Sequence, residues 1–384
     1  MKRKIPKQVL ILGMISFFTD FASEMLYPVV PLFLTSVLGA SMAVVGIIEG
    51  VAEVTASLLK GYFGALSDKL RKRAVFVKIG YTLSAIVKPL PGFFPFIGTV
   101  VTSRTLDRVG KGIRTAPRDA LLAANADKTN RGAIFGFHRS MDTLGAVVGP
   151  LIALLVLYLS GDNYRLVFYF AIIPSVGAIY FAFRTKESAT VKTEAKEYNF
   201  GEFWRTAPRA YKKLLVLIAV FSVANSSDVF LILKLKSISS DFTAILGYVF
   251  FNVIYALFSY PAGILSDKFS KRIIFGAGLI IFSLVYAGFS FADNLIIIFI
   301  LFTLYGFYSA ATDGISKAWI SDFVEDENRA TAIGLYNSVT GLGILVGSSL
   351  AGVLWDSFSS AVPFTFSAVV SFVIGIIILT DRKK

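Results

Sequence analysis

Between residues 295 and 311 the chain reads LIIIFILFTLYGFYSAA, and apolar runs of this kind, about 20 residues long, recur from one end to the other. A run of that length crosses the hydrocarbon core of a bilayer as a helix. This feature narrows the possible folds more than any other. Hydrophobic residues make up 55% of the 384 positions and charged residues only 16%, against about 25% charged in a soluble domain. The chain reads as a polytopic, all-α membrane protein. The basic N-terminus runs into the first apolar stretch past Tyr27 with no small-residue cleavage site, so that stretch is expected to be a span and not a cleaved leader.

The charge has a pattern. The net charge is +13, and the basic residues gather at Lys2–Lys7, Lys69–Arg73, 185–213, Lys268–Arg272 and Arg382–Lys384. The connections GASMA and FADN carry almost none. Basic loops alternating with neutral ones are the positive-inside pattern, so anionic lipid accounts for the excess and nucleic acid is not implied. Twelve spans put every basic cluster on one side: 8–37, 42–67, 74–96, 97–126, 130–159, 164–184, 212–236, 241–266, 272–291, 294–322, 328–357 and 360–380. Both termini are then cytoplasmic, at the cell membrane. The fourth span holds RTLDRVGKGIRTAPRD and is the least apolar; loop-charge parity requires it.

The chain also repeats itself. GALSDKLRKR (64–73) returns as GILSDKFSKR (263–272), with Asp68 and Asp267 199 positions apart. RGAIFGFHRSMDTLGAVVGP (131–150) aligns with RATAIGLYNSVTGLGILVGS (329–348) at a shift of 198, matching Arg131 with Arg329, Gly136 with Gly334, Gly145 with Gly343 and Gly149 with Gly347. The expected organisation is a six-helix bundle at 1–184, a cytoplasmic linker at 185–211 and a second, pseudo-symmetric bundle at 212–384.

Six plus six spans with a basic decapeptide after spans 2 and 8 resemble the major facilitator superfamily over the whole chain. The family's loop motif, G-x-x-x-D-[RK]-x-G-[RK]-[RK], is met by Gly64, Asp68, Lys69, Lys72 and Arg73, and again by Gly263, Asp267, Lys268, Lys271 and Arg272. Arg71 and Ser270 replace its second glycine. The resemblance implies two halves around a midplane site, rocking for alternating access. It also implies gating roles. Asp68 would meet the start of the eleventh span near Arg329, Asp267 would meet the fifth span, and Lys72 would tie Asp68 to Asp119. An acid facing a helix N-terminus has a physical reason to bind there. Gly136, Gly145, Gly149 and Pro150 resemble the fifth-span series of proton-coupled exporters, with Ala153 where the series ends in glycine. Small residues four apart let helix backbones approach closely, and the expected place for that packing is the interface between halves.

Ionisable groups at membrane depth are costly and are read as functional. Asp20 and Glu24 share one face of the first span; Glu49, Glu53 and Lys60 share one face of the second. Arg104, Asp107, Arg108, Lys111 and Arg114 stud the fourth. Asp20, Glu24, Glu49 and Glu53, with Arg104 opposite Asp20 and Glu24 and Arg108 as its alternate, are the candidates for proton and substrate coupling. Internal salt bridges are the plainer account of Lys60, Asp107, Lys111 and Arg114, and a pair with Asp142 the plainer account of His138.

The expected function is a proton-coupled exporter of small organic molecules, a monomer in lipid. The alternative is an uptake symporter for an organic anion drawn to Arg104, Arg108 and Lys88. No H-E-x-x-H, G-x-S-x-G or P-loop is present, and RVGKGIR lacks the P-loop's flanking residues. Enzyme activity, ATP-driven pumping, a cofactor and a metal are therefore not expected. The absence of cysteine removes disulfide and thiolate chemistry.

Overall fold

The computed structural model describes residues 5–125, 131–187, 200–268, 270–325 and 329–381, with side chains left out at 131–133, 136, 200, 259–260, 262–269, 313–314, 317–318, 321 and 329–330. No strand occurs among the described residues. An apolar solvent offers no partner to a backbone N–H or C=O, so each segment satisfies its own as a helix. Twelve rods result: α1 (Lys7–Val37), α2 (Met42–Leu70), α3 (Arg73–Val87, extended by Leu90–Phe93), α4 (Ile97–Ala124), α5 (Arg131–Ser160), α6 (Tyr164–Phe183), α7 (Arg209–Ile238), α8 (Asp241–Lys268), α9 (Lys271–Phe291), α10 (Leu295–Ser321), α11 (Arg329–Ser357) and α12 (Ala361–Thr380). A short helix, Phe200–Thr206, lies in the segment expected as linker. Ten of the twelve are both long and apolar enough to cross a membrane; α3, whose continuous helix has 15 residues, and the charge-bearing α4 are the exceptions.

The interruptions have local causes. Pro28 and Pro31 split α1 into Lys7–Leu26, Val29–Leu32 and a π turn at Phe33–Val37, because proline removes a helical N–H and crowds the preceding turn. Pro89 and Pro91 end the long piece of α3. α7 breaks without proline, at Asn225–Asp228, a run of side chains that compete for backbone hydrogen bonds.

Two units form, one of Met1–Gly39 with Thr55–Glu197, the other of Ala40–Val54 with Tyr198–Lys384. The first half of α2 therefore groups with the second unit, where the Asp356 carboxylate accepts from the N–H groups of Met42 (3.1 Å) and Ala43 (2.7 Å). Within the first unit α1 packs on α5 and α6, and α3 on α4 and α6. Within the second, α7 packs on α11 and α12, and α9 on α10 and α12. The same pairing made twice is the structural counterpart of the sequence repeat. Large apolar side chains such as Phe291, Tyr158 and Leu159 stay exposed, as expected of faces meant for lipid.

The glycine series packs elsewhere than the sequence suggested. A Cβ at Gly145 would stand 2.5 Å from the Phe17 carbonyl oxygen, and one at Gly149 2.6 Å from that of Phe21. Both glycines seat α5 on α1 inside the first unit, not at an interface between halves. Gly347 seats α11 on α7 in the same way, 2.5 Å from the Val223 carbonyl oxygen. These positions are glycine because two backbones touch there. The Gly136 side of the series lies outside the described residues.

Candidate functional site: a buried charge network in the first unit

The charges of α4 recur at Arg104, Asp107 or Arg108, Lys111, Arg114 and Arg118, three or four apart from one turn to the next, and so form one stripe along the helix. Arg104, Asp107 and Arg114 are buried. A stripe of buried charge needs partners, and α3 supplies them. Gly80 and Gly110 let the two backbones approach, a Cβ at Gly80 falling 2.6 Å from the Gly110 carbonyl oxygen. Lys88 Nζ then reaches Asp107 Oδ1 at 2.7 Å, both side chains being buried. Ser84 Oγ accepts from Arg114 Nη1 at 2.9 Å and donates to the Asp107 carbonyl at 3.2 Å. The Arg114 guanidinium lies over the Tyr81 ring, 4.5 Å from its centre, a favourable placement for a desolvated cation.

A second layer joins α1 to α5. Ser16 Oγ and His138 Nε2 are 2.7 Å apart, and His138 Nδ1 lies 3.5 Å from Asp142 Oδ2. Arg118 donates to Ser16 Oγ at 3.4 Å and holds Asp119 at 2.8 Å. Hydroxyl, imidazole and carboxylate follow one another as in an acyl-transfer triad. Ser16 is 1% exposed, however, and also sits 3.5 Å from the Tyr81 hydroxyl, so the chain of groups suits proton movement and not attack on a substrate. Asp20, one turn beyond Ser16, has Asp142, Lys111, Arg114 and Arg118 as the charges that act on it.

Several expectations change. Asp119 is held by Arg118, not by Lys72, and Lys72 is exposed. The Arg104 guanidinium lies 5.6 Å from the centre of the Tyr27 ring. It lines a small cavity with Ser23, Lys88 and Asp107. Asp107 is salt-bridged, with Lys88 as partner, and His138 faces Asp142. Glu24 and Arg108 share the first unit with Asp20, whereas Glu49, which is buried, and Glu53 belong to the part of α2 in the second unit. Asp68 pairs with Arg73 at 2.7 Å across the α2–α3 turn, and Lys271 pairs with Asp322 at 2.6 Å. The Asp267 and Arg329 side chains lie outside the described residues.

Sequence reasoning passed over Ser16, Tyr81 and Arg118. A serine or tyrosine within an apolar run carries no signal of its own. In α7, Asp228 Oδ1 accepts from the Tyr305 hydroxyl at 2.5 Å.

Comparison with known proteins agrees with this architecture. The model of the Major Facilitator Superfamily matches residues 12–251 and 215–384. The chain is 35% identical to MFS-type transporter MJ1317 of Methanocaldococcus jannaschii, itself uncharacterized, over 98% of this chain and 95% of that one. It is 26% identical to an uncharacterized protein of Mycobacterium tuberculosis over 91% of this chain and 86% of the other. Among solved structures, nucleoside transporter NupG superposes with a TM-score of 0.79 at 14% identity, covering 99% of this chain and 100% of that one. A POT family transporter in complex with 5-aminolevulinic acid gives 0.82 at 11% identity, covering 99% and 96%; at such identities the likeness is one of fold. With twelve helices in two matched halves, and with family and relatives matching along its length, the chain is a secondary transporter, not an enzyme, and belongs to the major facilitator superfamily.

Proposed function

We propose that this transporter is a proton-coupled exporter of small organic molecules, working as a monomer in the cell membrane with both termini cytoplasmic. The observation that carries the coupling is the seat of Asp20 on the face of α1 that packs against α5, its Cβ 3.1 Å from where a Cβ at Gly145 would stand, within electrostatic reach of Asp142 on α5 and of Lys111, Arg114 and Arg118 on α4. Two carboxylates so placed have charge states that differ by one proton, and a small shift of α1 against α4 changes which cations balance them. Binding of substrate on one side and of a proton on the other then exclude each other without covalent chemistry. Export is favoured by the resemblance of the Gly145–Gly149–Pro150 series to that of exporters. Asp68 and Asp267 act in this reading as gating acids, with Lys72, Lys271 and Arg329 around them, and alternating access follows from the family.

The test uses proteoliposomes loaded with a pH-sensitive dye and a panel of organic cations, anions and neutral solutes. Substrate entry should drive protons outward, and reversing the imposed pH gradient should reverse net flux. Asp20→Asn is expected to lose gradient-driven transport and keep downhill exchange. Uphill transport at the wild-type rate in Asp20→Asn would sink the coupling role.

One observation favours a second reading. Lys88, Arg104, Arg108, Lys111, Arg114 and Arg118 outnumber the acids of α3 and α4, as an organic-anion uptake symporter would require. Proton and substrate moving in the same direction in that assay would select it.

A further inference from the structure

The two units place different chemistry at one position. At the repeat spacing of 198, Lys88 corresponds to Tyr286 and Asp107 to Tyr305, while Val30 of α1 corresponds to Asp228 of α7. The correspondence is physical as well as numerical: Gly80 abuts Arg114, and Gly278 abuts Thr312, again one repeat apart. In the first unit this position is closed by the Lys88–Asp107 pair. In the second it holds a carboxylate among aromatic rings.

Asp228 stands at the break in α7, where Asn225–Asp228 leave the helical path. The break is fixed from outside, since Ser348 Oγ accepts from the Ser227 N–H at 3.0 Å. The Asp228 carboxylate is only partly buried, and the Tyr305 hydroxyl donates to Oδ1 at 2.5 Å. The Tyr305 ring in turn stacks on Tyr308 at 5.4 Å and lies 5.0 Å from Phe251 and 6.2 Å from Tyr286. The Tyr286 hydroxyl is buried beside Ser226 and Tyr305. A carboxylate bonded to one tyrosine of an aromatic cluster, with a second buried tyrosine hydroxyl in that cluster, has the components of a cation-recognition site: a counter-charge, π systems and a further polar group. A break in a membrane helix is also where such sites are built.

We propose that Asp228, with Tyr305 and Tyr286, binds the positively charged group of the substrate, so that the transporter takes organic cations with an apolar or aromatic body. The substrate class rests on the transporter reading above, but the site makes a claim about binding that does not need proton coupling.

The experiment measures equilibrium binding of tetraphenylphosphonium and of ethidium to the purified full-length chain in detergent, with tetraphenylborate as an anion of matching size. Saturable binding of at least one cation and none of the borate is expected. Asp228→Asn should weaken cation binding at least about tenfold, the scale of a lost charge-assisted contact, and Tyr305→Phe should weaken it by less. Asp241→Asn, in the distant pair with Lys236, should bind as wild type. Binding to neither cation, equal binding of the borate, or wild-type affinity in Asp228→Asn each overturns the proposal. If Asp228→Asn does not fold by thermal melt, Tyr305→Phe and Asp228→Glu decide, and unchanged affinity in both overturns it. Cation binding lost in Asp228→Asn but kept in Asp20→Asn supports this site, and it does so even if no proton movement is found.

Discussion

The first unit keeps charge where the second keeps aromatic rings and hydroxyls. Lys88 and Asp107 are a buried ion pair; one repeat on, Tyr286 and Tyr305 are buried rings. Arg118 and His138 reach Ser16; their counterparts Ser316 and Tyr336 bond each other at 2.9 Å. The backbone contacts do not diverge in this way. Gly145 and Gly149 seat α5 on α1, and Gly343 and Gly347 seat α11 on α7. Where backbones touch there is room for one residue type only; where side chains fill a space, volume can be matched by very different chemistry. The fold is thus doubled while the side chains diverge, with a buried charge network in the first unit and a carboxylate bonded to a tyrosine of an aromatic cluster in the second.

The largest effect should come from half-removing the first unit's pair. Lys88→Met leaves Asp107 as a buried charge without its partner, which costs about 3–5 kcal/mol. A marked fall in melting temperature or loss of folded protein in detergent is expected. Lys88→Tyr combined with Asp107→Tyr installs the second unit's residues and should recover much of that loss. A fully stable Lys88→Met would break the comparison, because the pair would then not be what fills the position.

The glycine contacts test the other side of the comparison. Gly149→Leu and Gly347→Leu each push a side chain into a carbonyl of the adjoining helix and should cost about 1–3 kcal/mol by overpacking. The two losses should be similar, read by thermal melts of the full chain. Loss of flux with unchanged stability in Gly149→Leu would instead return the glycine series to a moving interface.

A smaller effect is expected at Ser348, which stands where the first half has Pro150. Removing its hydroxyl in Ser348→Ala leaves the Ser227 N–H without its acceptor, at about 1–2 kcal/mol. If the Asp228 site depends on the break, cation affinity should fall along with stability. A change in neither would detach the break from Ser348.

Much of the fold was legible from periodicity and loop charge. Even α4, poor in apolar residues, followed from the need for an even number of crossings. The glycines were legible as close contacts but not as to their partner: spacing says that a backbone approaches and does not say which one. Asp119 shows the same limit, since its neighbour Arg118 on the same turn competes with any distant lysine. Ser16 and Tyr81 were invisible because one hydroxyl in an apolar run has no period. The repeat held more information than motif matching extracted. Laying Lys88 on Tyr286 and Val30 on Asp228 needs only the 198-residue shift.

The smallest effect is at the turn after α2, where both copies depart from the family's glycine. Arg71 occupies left-handed backbone at φ 54°, while Ser270 sits at φ −58°. The Arg71 N–H donates to the Asp68 carbonyl at 3.2 Å and the Lys72 N–H to that of Ser67 at 3.3 Å, the paired bonds that end a helix around a left-handed residue. The first copy therefore keeps the glycine's conformation without the glycine, and the left-handed form costs an L-residue about 1–2 kcal/mol. Glycine relieves that cost but gives back about 0.5–1 kcal/mol in unfolded-chain entropy. Arg71→Gly should then stabilise the chain by a few tenths to about 1 kcal/mol. Ser270→Gly has no strain to relieve and should destabilise it by about 0.5–1 kcal/mol. Melts of the two variants in one detergent give the sign of each change. Shifts of the same sign would show that the two turns are alike and that the halves differ less at this end than their backbones indicate.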